Sequence, residues 1–378
     1  MRKFYLLLLV IISIAGNAQE VTTILDSQNA DVDDALIIDS KGNLYGSNFI
    51  GSTVYKITPS GEVSAFITGL KHPNGLAFDS EENLFVSEYG ASIIHKYDKD
   101  GNLVQSYPVD GVPSGMVKSR YRNTIIYTDV RNNSINELLS DGTVKELYKG
   151  EPLNIPVGLT FDRKGTLYIG NYLDRKIYRL TSRNSEPEYV ATVPDSGTDF
   201  PYLAFITYAR GYVYGTNYGE HKIYKINPRA VDDVEIFAGS TNGNNDGDIS
   251  EATFSYPAGI IANRSGNALF VSEFSGVGNI RKISNRRERC DFNIRLKTYP
   301  NPVSDELNIA VRLPEVGSFN IKVYDFYGRN LIYQSTEVSE EENFLKTISV
   351  KDWSSGLYIL QVSKGSCKGY RIVLIKQP

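Results

Sequence analysis

Six positions pair an oxygen-bearing side chain with a bulky neighbour at a repeating spacing. The oxygen bearers are Asn48, Glu88, Asp129, Asn171, Asn217 and Glu273, all acids or amides. Gathered in one place, they offer a ring of ligands for a cation or for sugar hydroxyls. Their structural alternative is to accept backbone N–H groups of the turn that follows, as short acceptors do. Glu88 and Glu273 reach furthest and are the better ligand candidates. The residues that follow are Phe49, Tyr89, Val130, Tyr172, Tyr218 and Phe274. Aromatic faces stack on sugar rings or fill partner pockets, and tyrosine adds a hydroxyl. Their structural alternative is packing against a neighbouring unit.

A second set, Asp34, Asn74, Ser114, Val157, Pro201 and Ala258, stands just before another recurring apolar segment. Asp31 and Asp33 lie close to its first member. The three histidines lack the spacing of zinc ligands. His72 and His221 sit on face loops of their units, and His72 joins the ligand-facing candidates. His95 fills a slot held elsewhere by Tyr55, Tyr178 and Tyr224, which marks it as a packing residue. Thr241 to Asp248 resembles a calcium loop, but an EF-hand begun at Asn242 needs Glu where Thr253 stands. No Gly-Lys-Ser/Thr phosphate loop and no Gly-x-Ser-x-Gly elbow is present.

These positions belong to a repeat. One short strand recurs as ALIID, GLAFD, GMVKS, GLTFD, YLAFI and GIIAN, with starts 40, 40, 43, 44 and 57 residues apart. A second follows as NLYGSN, NLFVSE, TIIYTD, TLYIGN, YVYGTN and ALFVSE, and a third as TVYKIT, IIHKYD, SINELL, KIYRLT, KIYKIN and NIRKIS. A looser fourth strand completes most copies. Four strands in about 40 residues make a β-propeller blade. The segments are rich in Val, Ile and Tyr and lack helical spacing. The last copy has no fourth strand of its own, and Val21–Leu25 is expected to supply it and close the ring. The expectation is an all-β chain: a six-bladed β-propeller over residues 19–286, a linker at 287–298, and a small Ig-like β-sandwich at 299–378. In such a propeller both sets of positions face the mouth of the central channel.

Composition agrees. The chain has 378 residues, 26 of them Tyr, with 40 Lys+Arg against 44 Asp+Glu and a formal charge of −4. That balance argues against a broad nucleic-acid footprint. Two cysteines, Cys290 and Cys367, rule out a disulfide scaffold. They either bridge the linker to the last domain or stand as separate thiols. Residues 1–18 read as a secretory signal peptide: Arg2 and Lys3, an apolar run from Leu6 to Ile14, then Gly16 and Ala18 before Gln19. The run is too short to span a bilayer, and no membrane span is expected after cleavage.

The repeats resemble NHL repeats. The stretch from Ala238-Gly239 through Asp246-Gly247, Ala252-Thr253-Phe254 and Pro257-Ala258-Gly259-Ile260 carries the resemblance, with Glu273 where the family usually has Asp. The related gluconolactonase and senescence-marker-protein family holds a divalent cation at the second set of positions. His72-Pro73-Asn74-Gly75 is similar to its Pro-Asn-Gly motif. That resemblance implies Ca2+ or another divalent cation on Asp34, Asn74 and Glu88, although Val157, Pro201 and Ala258 offer no side-chain oxygen. Near the carboxyl end, Tyr299-Pro-Asn-Pro302, Val323-Tyr-Asp-Phe-Tyr-Gly-Arg329, Ser355-Gly-Leu-Tyr-Ile-Leu-Gln-Val362 and Tyr370-Arg-Ile-Val-Leu-Ile-Lys376 resemble the type IX secretion (Por) sorting domain. This implies contact with that secretion machinery, export, removal of the domain, and release or attachment at the outer surface. The expected function is binding of a glycan, peptide or protein at the channel mouth. The alternative is a metal-dependent lactonase-type hydrolase.

Overall fold

The computed structural model describes residues 19–26, 30–183, 185–274, 279–285, 294–313, 317–327, 330–339, 341–364 and 367–375. The signal segment and Cys290 lie outside them. Every regular element among the described residues is a strand. The chain divides into two compact units, residues 1–286 and 287–378.

The first unit holds six antiparallel sheets, five of them formed by four consecutive strands and the sixth completed from the amino end. Blade 1 opens with Leu36–Ile38 and Leu44–Ser47, blade 2 with Pro73–Phe78 and Leu84–Glu88, and blade 3 with Pro113–Lys118 and Ile125–Asp129. Blade 4 opens with Pro156–Phe161 and Leu167–Asn171, blade 5 with Leu203–Ala209 and Tyr212–Asn217, and blade 6 with Pro257–Ala262 and Ala268–Glu273. The fourth strand of blade 6 is Gln19–Leu25, paired antiparallel with Ile280–Asn285 and edged by the two-residue strand Gly247–Asp248. The ring therefore closes through the amino end, and no long sheet edge is left open there.

Local sequence explains the hairpins. Asp39, Asp79 and Asp162 each accept two backbone N–H groups of the turn that follows, at 2.8–2.9 Å. Such Asx turns reverse the chain between first and second strands. Neighbouring blades meet along the channel through hydroxyls. Ser47 donates to the Asn74 carbonyl at 2.8 Å, Ser87 to Ser114 at 3.0 Å, Thr216 to Ala258 at 2.5 Å and Ser272 to Asp34 at 2.5 Å. First strands pack so closely that a Cβ at Gly75 would collide with the Ser114 carbonyl, and one at Gly115 with that of Val157. Glycine is required there for close backbone approach. Blade 1 carries Ala35 at this place, and blade 5 carries Phe205. Its ring packs on the apolar clusters of blades 5–6 and of blades 1–2. It thus reaches across the channel below the mouth.

The second unit is a sandwich of a three-stranded and a four-stranded sheet. Alternating residues such as Leu307, Ile309, Val311, Phe319, Ile321, Val323, Leu360 and Val362 fill its core, the period-two pattern of sheets with one buried face.

Candidate functional site

The channel mouth is a cavity of about 410 Å3. All six bulky residues from the ends of the second strands line it, with Phe200, Tyr202 and Phe205 from blade 5. Ring contacts join them into two arcs. One runs Tyr89–Phe49–Phe274–Tyr218–Tyr256, with centroids 4.8–6.3 Å apart. The other is Tyr172 stacked on Tyr202 at 4.5 Å, with Phe200 beyond at 5.9 Å. Val130 and Ile155 interrupt the collar. Tyr89 is 37% exposed, while Tyr172 and Tyr218 are half-buried. Burial, then the nearby Tyr218, Tyr202 and Asp34, pushes the Tyr172 hydroxyl above its usual range, so these polar ends converge. Among the described residues, the hydroxyls of Tyr89, Tyr172, Tyr202 and Tyr218 make no hydrogen bond to protein. Loop backbone at the mouth is held in left-handed conformations at Ile155 (φ 50°), Phe200 (φ 59°) and Tyr256 (φ 50°). Such bulky residues enter that region at a cost of about 1–3 kcal/mol each, offset by surrounding packing.

The floor is divided. On blades 1–3 a hydrogen-bond chain crosses it: Ser114 donates to Asn74 Oδ1 at 2.7 Å, and Asn74 Nδ2 donates to Asp34 Oδ2 at 2.5 Å. On blades 4–6 the same places hold Val157, Ala204 and Ala258. Strand pairing sets the blade 5 member as Ala204, because Leu203 faces Asn217 as Pro257 faces Glu273. Pro201 is therefore not the equivalent position. YLAFI lacks the Gly that fixes the alignment in blades 2, 3, 4 and 6, and its Tyr202 belongs to the collar. Asp34 is 7% exposed. Burial, reinforced by Asp33, raises its pKa well above the usual carboxyl value, which favours the neutral acid. Asp33 accepts Phe49 N–H at 2.5 Å and Ile50 N–H at 3.1 Å. Burial still raises it to about 6.

The ring of acids and amides serves the backbone. Glu88 accepts Lys71 N–H at 2.5 Å and contacts His95 Nε2 at 2.7 Å. Asp129 accepts Val112 N–H and Arg131 N–H, both at 3.0 Å. Asn48 accepts Gly51 N–H, Asn171 donates to the Pro152 carbonyl and Asn217 accepts Glu220 N–H. Glu273 is fully buried and accepts from Ser255 N–H, Asn279 and Arg281 at 2.9–3.1 Å. Glu88 and Glu273, expected to reach the ligand, line no part of the cavity; their length is used to tie the entering loop to its own blade. His72 contacts the Phe49 carbonyl at 2.8 Å and buttresses the collar from behind. His221 accepts Tyr256 N–H at 3.1 Å, and burial lowers its pKa. The stretch from Thr241 to Asp248 is a clamp: Asp246 accepts from Thr23 N–H at 2.8 Å and from Arg281 at 2.7 Å.

A hard divalent cation needs six or more oxygens. Asp34 and Asn74 are spent on each other, Glu88 is engaged elsewhere, and three of the six floor positions are aliphatic. No group of three or more His, Cys, Asp or Glu that could hold a metal occurs among the described residues. The donor set does not fit such an ion.

Sequence reasoning missed Phe200, Tyr202 and Phe205. The aromatic run Phe200-Pro-Tyr202 before a strand without glycine is the signal that marks them.

Residues 297–376 match the secretion system C-terminal sorting domain. No curated protein is significantly similar to the chain. Among solved structures, an auxiliary nutrient binding protein from Bacteroides thetaiotaomicron is similar at 17% identity and TM-score 0.57, covering 70% of this chain and 76% of its own. A gluconolactonase from Xanthomonas campestris is similar at 17% and 0.53, covering 70% and 89%. Virginiamycin B lyase from Staphylococcus aureus is similar at 20% and 0.50, covering 66% and 80%. At these identities the likeness is one of fold, and the fold is a β-propeller. The chain is an exported propeller that engages the type IX secretion machinery through its sorting domain and is released or held at the cell surface.

Proposed function

We propose that the propeller is an exported binding module whose channel mouth holds a neutral ligand, a glycan segment or a peptide. One observation carries this reading: a cavity of about 410 Å3, walled by aromatic faces, in which tyrosine hydroxyls have no protein partner among the described residues. A sugar or peptide presents what such walls accept, apolar faces edged by hydroxyl or amide groups. Asp34, Asn74 and Ser114 give the floor an oriented polar edge. Phe205 reaches across the channel below the mouth, which suits the cavity to a chain terminus or side branch.

The test replaces Tyr89, Tyr172 and Tyr218 together with alanine. Ligands selected on neutral glycan and peptide arrays are then titrated calorimetrically into both proteins. Three stacking contacts at about 1 kcal/mol each predict affinity lower by a factor of at least 100. Unchanged affinity would remove the reading. Metal-dependent lactone hydrolysis is the second reading, and the mutual Asp34–Asn74 bond and the aliphatic floor positions count against it. Stoichiometric metal in the purified protein together with chelator-sensitive lactone turnover would put it in place of the binding module.

A further inference from the structure

On the face opposite the mouth, the turns between first and second strands of blades 4 and 5 enclose a second pocket of about 620 Å3. Arg163, Lys164, Arg179, Arg210 and Arg229 line it, against one carboxylate, Asp162. In a chain of formal charge −4, this concentrates positive potential in one recess. Asp162 is occupied by Lys164 N–H and Thr166 N–H. Arg179 is paired with Glu188 at 2.8 Å and donates to the Pro228 carbonyl at 3.1 Å, which ties blade 4 to blade 5. Among the described residues, Arg163, Lys164, Arg210 and Arg229 have no carboxylate within ion-pairing distance, and all four are exposed.

The backbone of the blade 4 turn that carries two of the cations is held in place. Arg120 and Tyr121 of blade 3 donate to the carbonyls of Arg163 and Lys164, at 2.7 and 3.1 Å, and fix the blade 4 turn from behind. Arg210 and Gly211 are the two central residues of a tight hairpin, both with positive φ (49° and 95°). That turn favours Asn or Gly at its first central place. Arginine there is disfavoured locally, and it stands at the rim between the recess and the blade 6 turn at Gly266. Tyr168 and Tyr208, nearly parallel at 8° and 6.2 Å apart, form the wall between the two groups of cations.

We propose that this pocket binds the oxyanion groups of an acidic oligosaccharide, with Arg210 and Arg229 as the principal contacts. Guanidinium forks match carboxylate, sulfate and phosphate geometry. Half-buried Tyr208, backed by the buried Tyr168, places an aromatic surface beside the charged groups. The recess is confined, and the protein as a whole repels long polyanions, which favours a short glycan over nucleic acid.

The full chain is titrated calorimetrically with an oligogalacturonate, a sulfated galactan oligosaccharide, a neutral galactan, a single-stranded oligonucleotide of equal charge, and inorganic phosphate. Binding of either acidic oligosaccharide, none of the neutral one, at least tenfold weakening between 50 and 300 mM salt, and at least tenfold weakening in the double variant Arg210→Gln/Arg229→Gln are expected. Lys164→Gln, on an exposed turn, is a second variant and should weaken binding about threefold. The two acidic sugars distinguish carboxylate from sulfate ester. No binding of either, equal affinity of the double variant, or equal affinity for the oligonucleotide or free phosphate overturns the proposal. Alanine at Tyr89, Tyr172 and Tyr218 leaves this binding unchanged, so the two sites fail separately.

Discussion

Two buried carboxylates sit at opposite ends of the chain's ring closure. Glu273 ends the second strand of blade 6 and Asp34 opens blade 1, and Ser272 next to Glu273 donates to the Asp34 carbonyl at 2.5 Å. Glu273 is surrounded by a backbone N–H, an amide and the guanidinium of Arg281, which is itself fully buried. Asp34 has one side-chain donor, Asn74, and faces an open cavity. Burial raises both pKa values, but only Glu273 has a cation to oppose it. An acid whose oxygens are consumed by its own fold is part of the frame. An acid held neutral at the floor of a cavity, with one side-chain donor, is the one we propose to meet a ligand.

Arg281 offers the largest expected effect. It joins Glu273, Asp246 and the carbonyls of Thr253 and Asn245, and it stacks over Phe254 at 5.1 Å. Arg281→Met keeps the volume and strands a buried carboxylate. A loss of about 3–5 kcal/mol is expected in urea unfolding. A loss below about 1 kcal/mol would mean that the seam does not depend on its ion pairs, and the comparison with Asp34 would collapse.

The pH dependence of stability comes next. Asp33 titrates near 3.8 when unfolded and near 6 when folded. Between those values the folded protein holds a proton that the unfolded chain has lost. Stability on this account is full below about pH 4 and falls as pH rises to about 6, by up to about 3 kcal/mol. Glu220 acts in the opposite sense. Despite burial, Ser196 and Lys222 lower it to about 2, so its contribution is lost only in stronger acid. Urea midpoints from pH 4 to 7 should fall in the parent and flatten in Asp33→Asn. An equally steep fall in the variant would assign the titration to another group.

The repeat made most of this legible, because period and strand pattern determine which residues share a face. The collar positions could be aligned from the ends of the second strands alone. What those strands do to Glu88 and Glu273 could not, because a side chain's direction depends on the loop donors it meets. The hydroxyl ladder of Ser47, Ser87, Thr216 and Ser272 was written one residue before the acids, yet its partners belong to the next blade. Phe205 stands where blades 2, 3, 4 and 6 have glycine and blade 1 has Ala35, and only the closed ring shows that this position faces the channel. The cationic recess draws on turns of two blades, 46–47 residues apart at Arg163, Lys164 and Arg210, and no single-blade pattern contains it.

The smallest expected effect is the most discriminating. A neutral Asp34 is nearly isosteric with asparagine: one oxygen still accepts from Asn74 Nδ2, and an amide replaces the hydroxyl. Asp34→Asn should therefore change stability at pH 7 by less than about 1 kcal/mol, and it should raise stability if part of the population is ionised. The same exchange at Glu273 removes the counter-charge of a buried arginine and should cost about 3 kcal/mol. Measuring both variants side by side by urea unfolding asks one question of two acids. If Asp34→Asn is as costly as Glu273→Gln, Asp34 is an ionised part of the frame, and the polar edge of the cavity floor loses its claim to be a ligand contact. If it is silent in stability yet changes affinity for the glycan or peptide selected at the mouth, the floor is separated from the frame by one atom.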